Sequence, residues 1–162
     1  MLNYDPMVGE ILQCHFGKAY VRRSDGRIEM QSRSMETRLP PEMVKNRLVV
    51  VLNNRIGGGC IVVPLSKTRD PDRLSRRWHV EIVEELIAPC GHFTRTARFA
   101  TAEQVQVASK FRLARLAAGP KQHLPRELVA EIQCAVVRAI GGGALLVRDK
   151  MRKDHREQRG DD

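Results

Sequence analysis

Short apolar runs fill the first two-thirds of the chain, and their spacing is that of strands. Residues 9–16 (GEILQCHF) set Leu12, Cys14 and Phe16 on one side of an extended segment that begins at Glu10. Residues 47–53 (RLVVVLN) and 60–65 (CIVVPL) are Val-rich and too short for helices. A Gly-rich stretch through Gly57-Gly58-Gly59 separates them, so they predict a hairpin of buried strands. Residues 78–83 (WHVEIV) alternate Trp78, Val80 and Ile82 against His79 and Glu81, which predicts a strand with His79 and Glu81 on a wet face.

The period then changes. Leu124, Leu128, Ile132, Val136 and Ile140 recur every four residues, Pro125 stands at the first turn and Gly141-Gly142-Gly143 ends the pattern, which predicts a helix over 124–140. Residues 101–107 (TAEQVQV) fit either a single helical turn or a bent strand, and 110–116 (KFRLARL) read as extended. Residues 17–42 carry five Arg around a Ser24-Asp25-Gly26 turn and the Pro40-Pro41 break, which predicts a partly mobile hairpin. Residues 67–77 read as a second basic loop. Beyond Leu146 the chain alternates charge with no apolar face, so 1–146 read as the domain and 147–162 as a charged, solvated tail.

Five or more strands closed by one helix predict a mainly β fold with some α: a small antiparallel barrel or curled sheet with the helix packed on it. At 162 residues the chain fits one domain, and 42% hydrophobic content excludes disorder. No window approaches the roughly 18 consecutive apolar residues of a membrane span, and the N-terminus lacks a secretory pattern, so a cytoplasmic protein is expected. Cys14, Cys60, Cys90 and Cys134 form no CxxC pair and read as free thiols. The formal charge of +9 favours a polyanionic partner, either nucleic acid or an acidic protein.

Polar residues at strand ends are the first place to look for chemistry. Arg47 opens one strand of the presumed hairpin and Ser66 closes the other, so pairing would make them neighbours. A guanidinium fork and a hydroxyl can together hold one phosphate without a metal. On the plainer reading Arg47 is a surface residue and Ser66 a turn residue. His15, His79, His92, His123 and His155 are scattered, and no pair has metal-ligand spacing. Cys90-Gly91-His92 reads as a turn, and Cys14-His15 as core plus surface.

Several blocks, in order, resemble the PemK/MazF family of type II toxin–antitoxin ribonucleases. They are Gly9-Glu10-Ile11-Leu12, residues 42–51 (EMVKNRLVVV), Val63-Pro64-Leu65-Ser66, Glu103-Gln104 with Lys110-Phe111-Arg112-Leu113, and the closing helix. The resemblance implies an SH3-like barrel of the CcdB/MazF/PemK type that forms a homodimer. It implies a metal-independent, cofactor-free endoribonuclease, an mRNA interferase that cuts single-stranded RNA and is blocked by a cognate antitoxin. It carries the catalytic Arg onto Arg47 and the catalytic Thr onto Ser66, with Glu42 and Glu103 as candidate acid/base groups and Gln104 beside them. Arg22, Arg23, Lys67, Arg76 and Arg77 are the expected RNA-backbone contacts. Leu48 stands where the family usually has Pro, Glu10 replaces an Asp, and the Arg-rich loop at 17–41 is unusually long. Those departures leave two other readings: a non-catalytic nucleic-acid-binding or regulatory module, or a relative that poisons a topoisomerase.

Overall fold

A computed structural model describes residues 2, 4–17, 21–22, 24–25, 28–29, 43–87, 93, 95–116 and 121–148. Its strands are β1 (Ile11–His15), β2 (Val21–Arg22), β3 (Ile28–Glu29), β4 (Asn46–Ile56), β5 (Gly59–Ser66), β6 (His79–Ile82), β7 (Arg98–Thr101), β8 (Gln106–Ser109) and β9 (Leu113–Ala114). Its helices are α1 (Pro71–Ser75) and α2 (Arg126–Ala139). Among the described residues no helix is long and apolar enough to cross a membrane.

Seven strands make one antiparallel sheet in the order β6-β7-β5-β4-β1-β9, with β8 on the same flank of β5 as β7; β2 and β3 form a separate hairpin. The expected barrel is not closed, because the end strands β6 and β9 do not pair with each other among the described residues. β4 and β5 are its centre, and each has both faces buried: Leu48, Val49, Val50 and Val51 are all fully inaccessible. That explains why their sequences are continuous Val runs without alternation.

One face, through Leu48, Val50, Val63, Leu65, Val80 and Ile82, packs against Val129, Ile132 and Ala135 of α2. The other carries Leu12, Cys14, Phe16, Val49, Val51, Cys60 and Val62, with Leu113 packed on it. Ile132 is wholly buried at the centre of the α2 contact, so truncating it to Ala would cost about 2–5 kcal/mol.

Four expectations change. The basic loop at 67–77 contains α1, capped by the Asp70 side chain on Arg73 N–H and started by Pro71. The helix stops without glycine: Arg77 takes the left-handed conformation (φ 57°), its N–H donates to Leu74 O, and Trp78 N–H donates to Arg73 O. His79, expected on a wet face, is 7% exposed, whereas Glu81 is open to solvent. Residues 101–107 are both alternatives in turn, a 3₁₀ turn at Ala102–Gln104 followed by β8, and 110–116 begin with a 3₁₀ turn at Lys110–Arg112 before β9. At the C-terminal end residues 143–148 are helical, so the expected solvated tail starts in helix; 149–162 lie outside the described residues.

Candidate nucleic-acid site

Ladder register sets the site. β1 pairs β4 with Cys14 opposite Arg47, β5 pairs β7 with Ser66 opposite Phe99, and β6 pairs β7 with Glu81 opposite Phe99. The β4–β5 ladder ends at the pair Val49–Pro64, so Arg47 and Ser66 each stand two residues beyond it, at adjoining ends of the two strands. Glu81, Phe99 and Ser66 form one row across β6, β7 and β5, and Arg47 and Cys14 pair across β4 and β1. Alternation puts Arg47 on the face of Val49 and Val51, and Ser66 on the face of Val62, so the guanidinium and hydroxyl positions share a side.

Arg47 is exposed and makes no ion pair with a described residue. The backbone enters β4 through Lys45, a non-glycine at φ 67°. Two main-chain bonds hold that strained corner: Phe16 N–H to Lys45 O at 3.0 Å and Lys45 N–H to Gly17 O at 3.2 Å. Ser66 is half-buried, and its Oγ accepts Thr68 N–H at 3.0 Å, which fixes the hydroxyl at the strand end. Leu48, where the family has Pro, is wholly buried on the opposite face, so that departure enters the core and not the site.

Glu103 sits elsewhere. Its Oε1 receives Arg73 Nη1 at 2.5 Å and lies 3.1 Å from His79 Nε2, while Arg73 Nε is 3.4 Å from Asp70 Oδ2. The backbone N–H of Arg73, and less strongly its charge, hold the Asp70 carboxyl below its ordinary range. His79 occupies the next row along the sheet, three strand intervals from Arg47, roughly 14 Å at the usual strand spacing. Arg47 and Ser66 thus stand at adjoining strand ends, and Glu103 belongs to a second cluster with Arg73 and His79.

Gln104 follows Glu103 in the same 3₁₀ turn. Thr101 Oγ1 donates to Pro64 O at 3.0 Å and lies 3.3 Å from Gln104 Oε1, which ties the turn after β7 to the strand that ends at Ser66. Of the expected backbone contacts, Lys67 and Arg77 are exposed, and Arg76 is paired with Asp72 at 3.0 Å and lies over the Trp78 ring at 5.3 Å. Arg22 is placed only as β2 backbone; Arg23, Glu42, Cys90 and His92 lie outside the described residues. Sequence reading missed Arg73, His79 and Thr101 as partners of this region. Their partners are distant in the chain, and His79 sits at an alternating position that reads as solvent-facing.

Residues 32–140 match the family model described as PemK-like, MazF-like toxin of type II toxin-antitoxin system. The chain belongs to this family. It is 47% identical over 149 residues to the uncharacterized protein YifN of Escherichia coli (strain K12), covering 90% of this chain and 98% of that one. It is 38% identical over 145 residues to an uncharacterized protein of Haemophilus influenzae (strain ATCC 51907 / DSM 11121 / KW20 / Rd), covering 87% and 94%. Among solved structures it is similar to Mycobacterium tuberculosis toxin MazF-mt6, with a TM-score of 0.46 at 14% identity over 62% of this chain and 91% of that one. It is similar also to an endoribonuclease in complex with its cognate antitoxin from Mycobacterial species, with a TM-score of 0.46 at 14% identity over 84% and 95%. Membership of the PemK/MazF family rests on the family model.

Proposed function

We propose that this PemK/MazF-family toxin is a metal-independent endoribonuclease of a type II toxin–antitoxin pair, cutting single-stranded RNA at a phosphate held by Arg47 and Ser66. What supports the reading is the family membership together with an exposed guanidinium, without an ion-pair partner among the described residues, at the end of β4 that adjoins the Ser66 end of β5. Metal-free cleavage uses the RNA 2′-hydroxyl as nucleophile and passes through a phosphorane whose extra negative charge must be met. Arg47 meets that charge through its fork of donors, and Ser66 adds a neutral donor beside it. The 2′-oxygen bonds to phosphorus as the 5′-oxygen leaves and takes up a proton, which yields a 2′,3′-cyclic phosphate and a 5′-hydroxyl. Glu42, upstream of Arg47 in the chain, is assigned removal of the 2′-proton, because Glu103 is held by Arg73 and His79 in the second cluster, out of reach of a phosphate at Arg47. A cognate antitoxin that covers this face, and a homodimer that lengthens the RNA groove, belong to the same reading.

The deciding experiment incubates purified protein with a long RNA in excess EDTA and compares it with Arg47→Ala. Cleavage to cyclic-phosphate ends by the wild type, reduced about a hundred- to a thousand-fold in Arg47→Ala, is the expected result, with a smaller loss for Ser66→Ala. Equal cleavage by both proteins rejects Arg47 as the site. A folded wild type that binds RNA without cutting it selects the binding-module reading.

A further inference from the structure

Two stretches of the chain hold five cations each and no acidic residue: 43–69, which contains Arg47 and Ser66, and 104–126. Strand pairing brings them together. Leu113 pairs with Cys14 and Cys14 with Arg47, so one row crosses β9, β1 and β4, with Leu113 two strand intervals, roughly 10 Å, from Arg47. Arg112 precedes Leu113, and its Nη1 donates at 3.0 Å to the carbonyl of His15, the residue paired with Asn46. That bond fixes the guanidinium at the end of β1, beside the start of β4, and leaves its other donors available. Arg112 is exposed and forms no ion pair with a described residue.

Phe111 stands next to it. Its side chain is 74% exposed, the most exposed large apolar side chain among the described residues, whereas Tyr4, Phe16, Trp78, Phe93 and Phe99 are buried or half-buried. The 3₁₀ turn beneath the ring is braced. Lys110 N–H donates to Gly58 O at 3.0 Å, Phe111 N–H to Ser109 Oγ at 3.3 Å, and Leu113 N–H to Lys110 O. Lys110 Nζ is bound to Asp5 at 2.5 Å, so of the two cations that flank the ring in sequence, Arg112 is the one whose charge is unmatched.

A single exposed aliphatic side chain would need no explanation. A braced aromatic ring flanked by cations is different, because single-stranded nucleic acid is held by its bases stacking on rings while its backbone follows positive charge. We propose that Phe111 and Arg112 form a second RNA subsite, in which the ring stacks a base and the guanidinium holds a phosphate of the same strand whose reactive phosphate lies at Arg47. The substrate class rests on the endoribonuclease reading of Arg47 and Ser66. Every base has a π face, so the subsite adds affinity and sets the position of the strand without reading its sequence. The rival occupant of an exposed ring is a protein surface. Interface cores are depleted of charge, however, and here Lys110 and Arg112 flank the ring.

The test measures, by fluorescence anisotropy, binding of the full chain to a labelled 2′-O-methyl oligoadenylate, which is not cut because its nucleophile is blocked. Phe111→Ala weakens binding about fivefold or more, Phe111→Tyr retains it, and Phe111→Leu, which keeps apolar bulk without a ring, does not. Arg112→Gln lowers the slope of log affinity against log salt by roughly one. In a series of strands with one base removed at successive positions, one abasic strand binds wild type as weakly as the intact strand binds Phe111→Ala, and the two losses do not add. Equal affinity of wild type and Phe111→Ala, with binding weakened by Arg47→Ala, overturns the subsite and leaves the cleavage site standing. No binding by the wild type, with no cleavage of unmodified RNA, overturns both. A Phe111→Ala change that turns a dimer into a monomer in light scattering at unchanged RNA affinity assigns the ring to a contact between copies and also overturns the subsite.

Discussion

His79 Nε2 lies 3.1 Å from Glu103 Oε1, and the same oxygen receives Arg73 Nη1 at 2.5 Å. The turn after β7 is thereby tied to both β6 and α1. The imidazole is almost fully buried, the carboxylate is 19% exposed and the guanidinium 39%, so the pair with His79 is the better shielded of the two. Glu103→Gln keeps the shape and removes the charge. It is expected to lower unfolding free energy by about 1–3 kcal/mol in urea titration, because a buried partner is left poorly satisfied. A cycle with Arg73→Ala should show a coupling of about 0.5 kcal/mol or more. Cleavage is expected to stay unchanged, because Glu103 lies in the cluster away from Arg47; a hundred-fold fall in a folded Glu103→Gln protein would move the reactive phosphate to this cluster.

Gly9 is a backbone requirement. It has φ +88°, its N–H donates to Val51 O at 2.7 Å, and its carbonyl accepts Leu124 N–H at 3.0 Å. A Cβ there would stand 3.0 Å from Val129 Cγ2 and 3.4 Å from Leu124 O. Gly9→Ala is expected to destabilise by about 1–3 kcal/mol, from left-handed strain plus crowding against α2. A thermal midpoint equal to wild type would show that α2 moves away at no cost.

Stability at high pH follows from Tyr4. Burial first, then the hydrogen bond its hydroxyl donates to the buried Glu10, pushes the phenol from 10.0 up to about 12. A folded pKa above the unfolded one means that the contribution is intact below pH 10 and is lost as pH rises through about 12. Lys110, raised by its bond to Asp5, acts in the same direction. Denaturation midpoints measured from pH 8 upward should therefore fall more steeply for wild type than for Tyr4→Phe, and parallel curves would remove Tyr4 as the cause.

Salt dependence sorts the basic residues. Arg76 is already held by Asp72 and stacked on Trp78, whereas Arg77 has no ion-pair partner among the described residues. If the basic segments contact RNA phosphates, Arg77→Ala should reduce the slope of log affinity against log salt by roughly one, and Arg76→Ala by less. A slope unchanged when Arg22, Arg23, Arg76 and Arg77 all become Ala would take these segments out of the RNA site.

The sequence by itself determined β1, the β4–β5 hairpin, β6 and the terminal helix, whereas β7 at Arg98–Thr101 carried no pattern that marked it. Val runs of residues 47–53 and 60–65, joined through glycines, can satisfy their backbone and bury both faces only as a central hairpin. Once that hairpin forms, adjacency of its ends is a matter of register. The four-residue period from Leu124 likewise marks α2 without reference to the rest of the fold. Tertiary structure alone decided whether the sheet closes, which carboxylate joins which cation, and which edge stays open. Closure depends on the sum of strand twists and on partners for β6 and β9, and short-range patterns carry no record of it. α1 was hidden for a local reason: its stop is the left-handed Arg77, where the usual signal is glycine. His79 was misjudged because a polar residue at an alternating position looks solvent-facing until a carboxylate 24 positions away, Glu103, is folded onto it. Burial of a polar group is decided by the partner that the chain brings back to it, and that partner is a property of the whole fold.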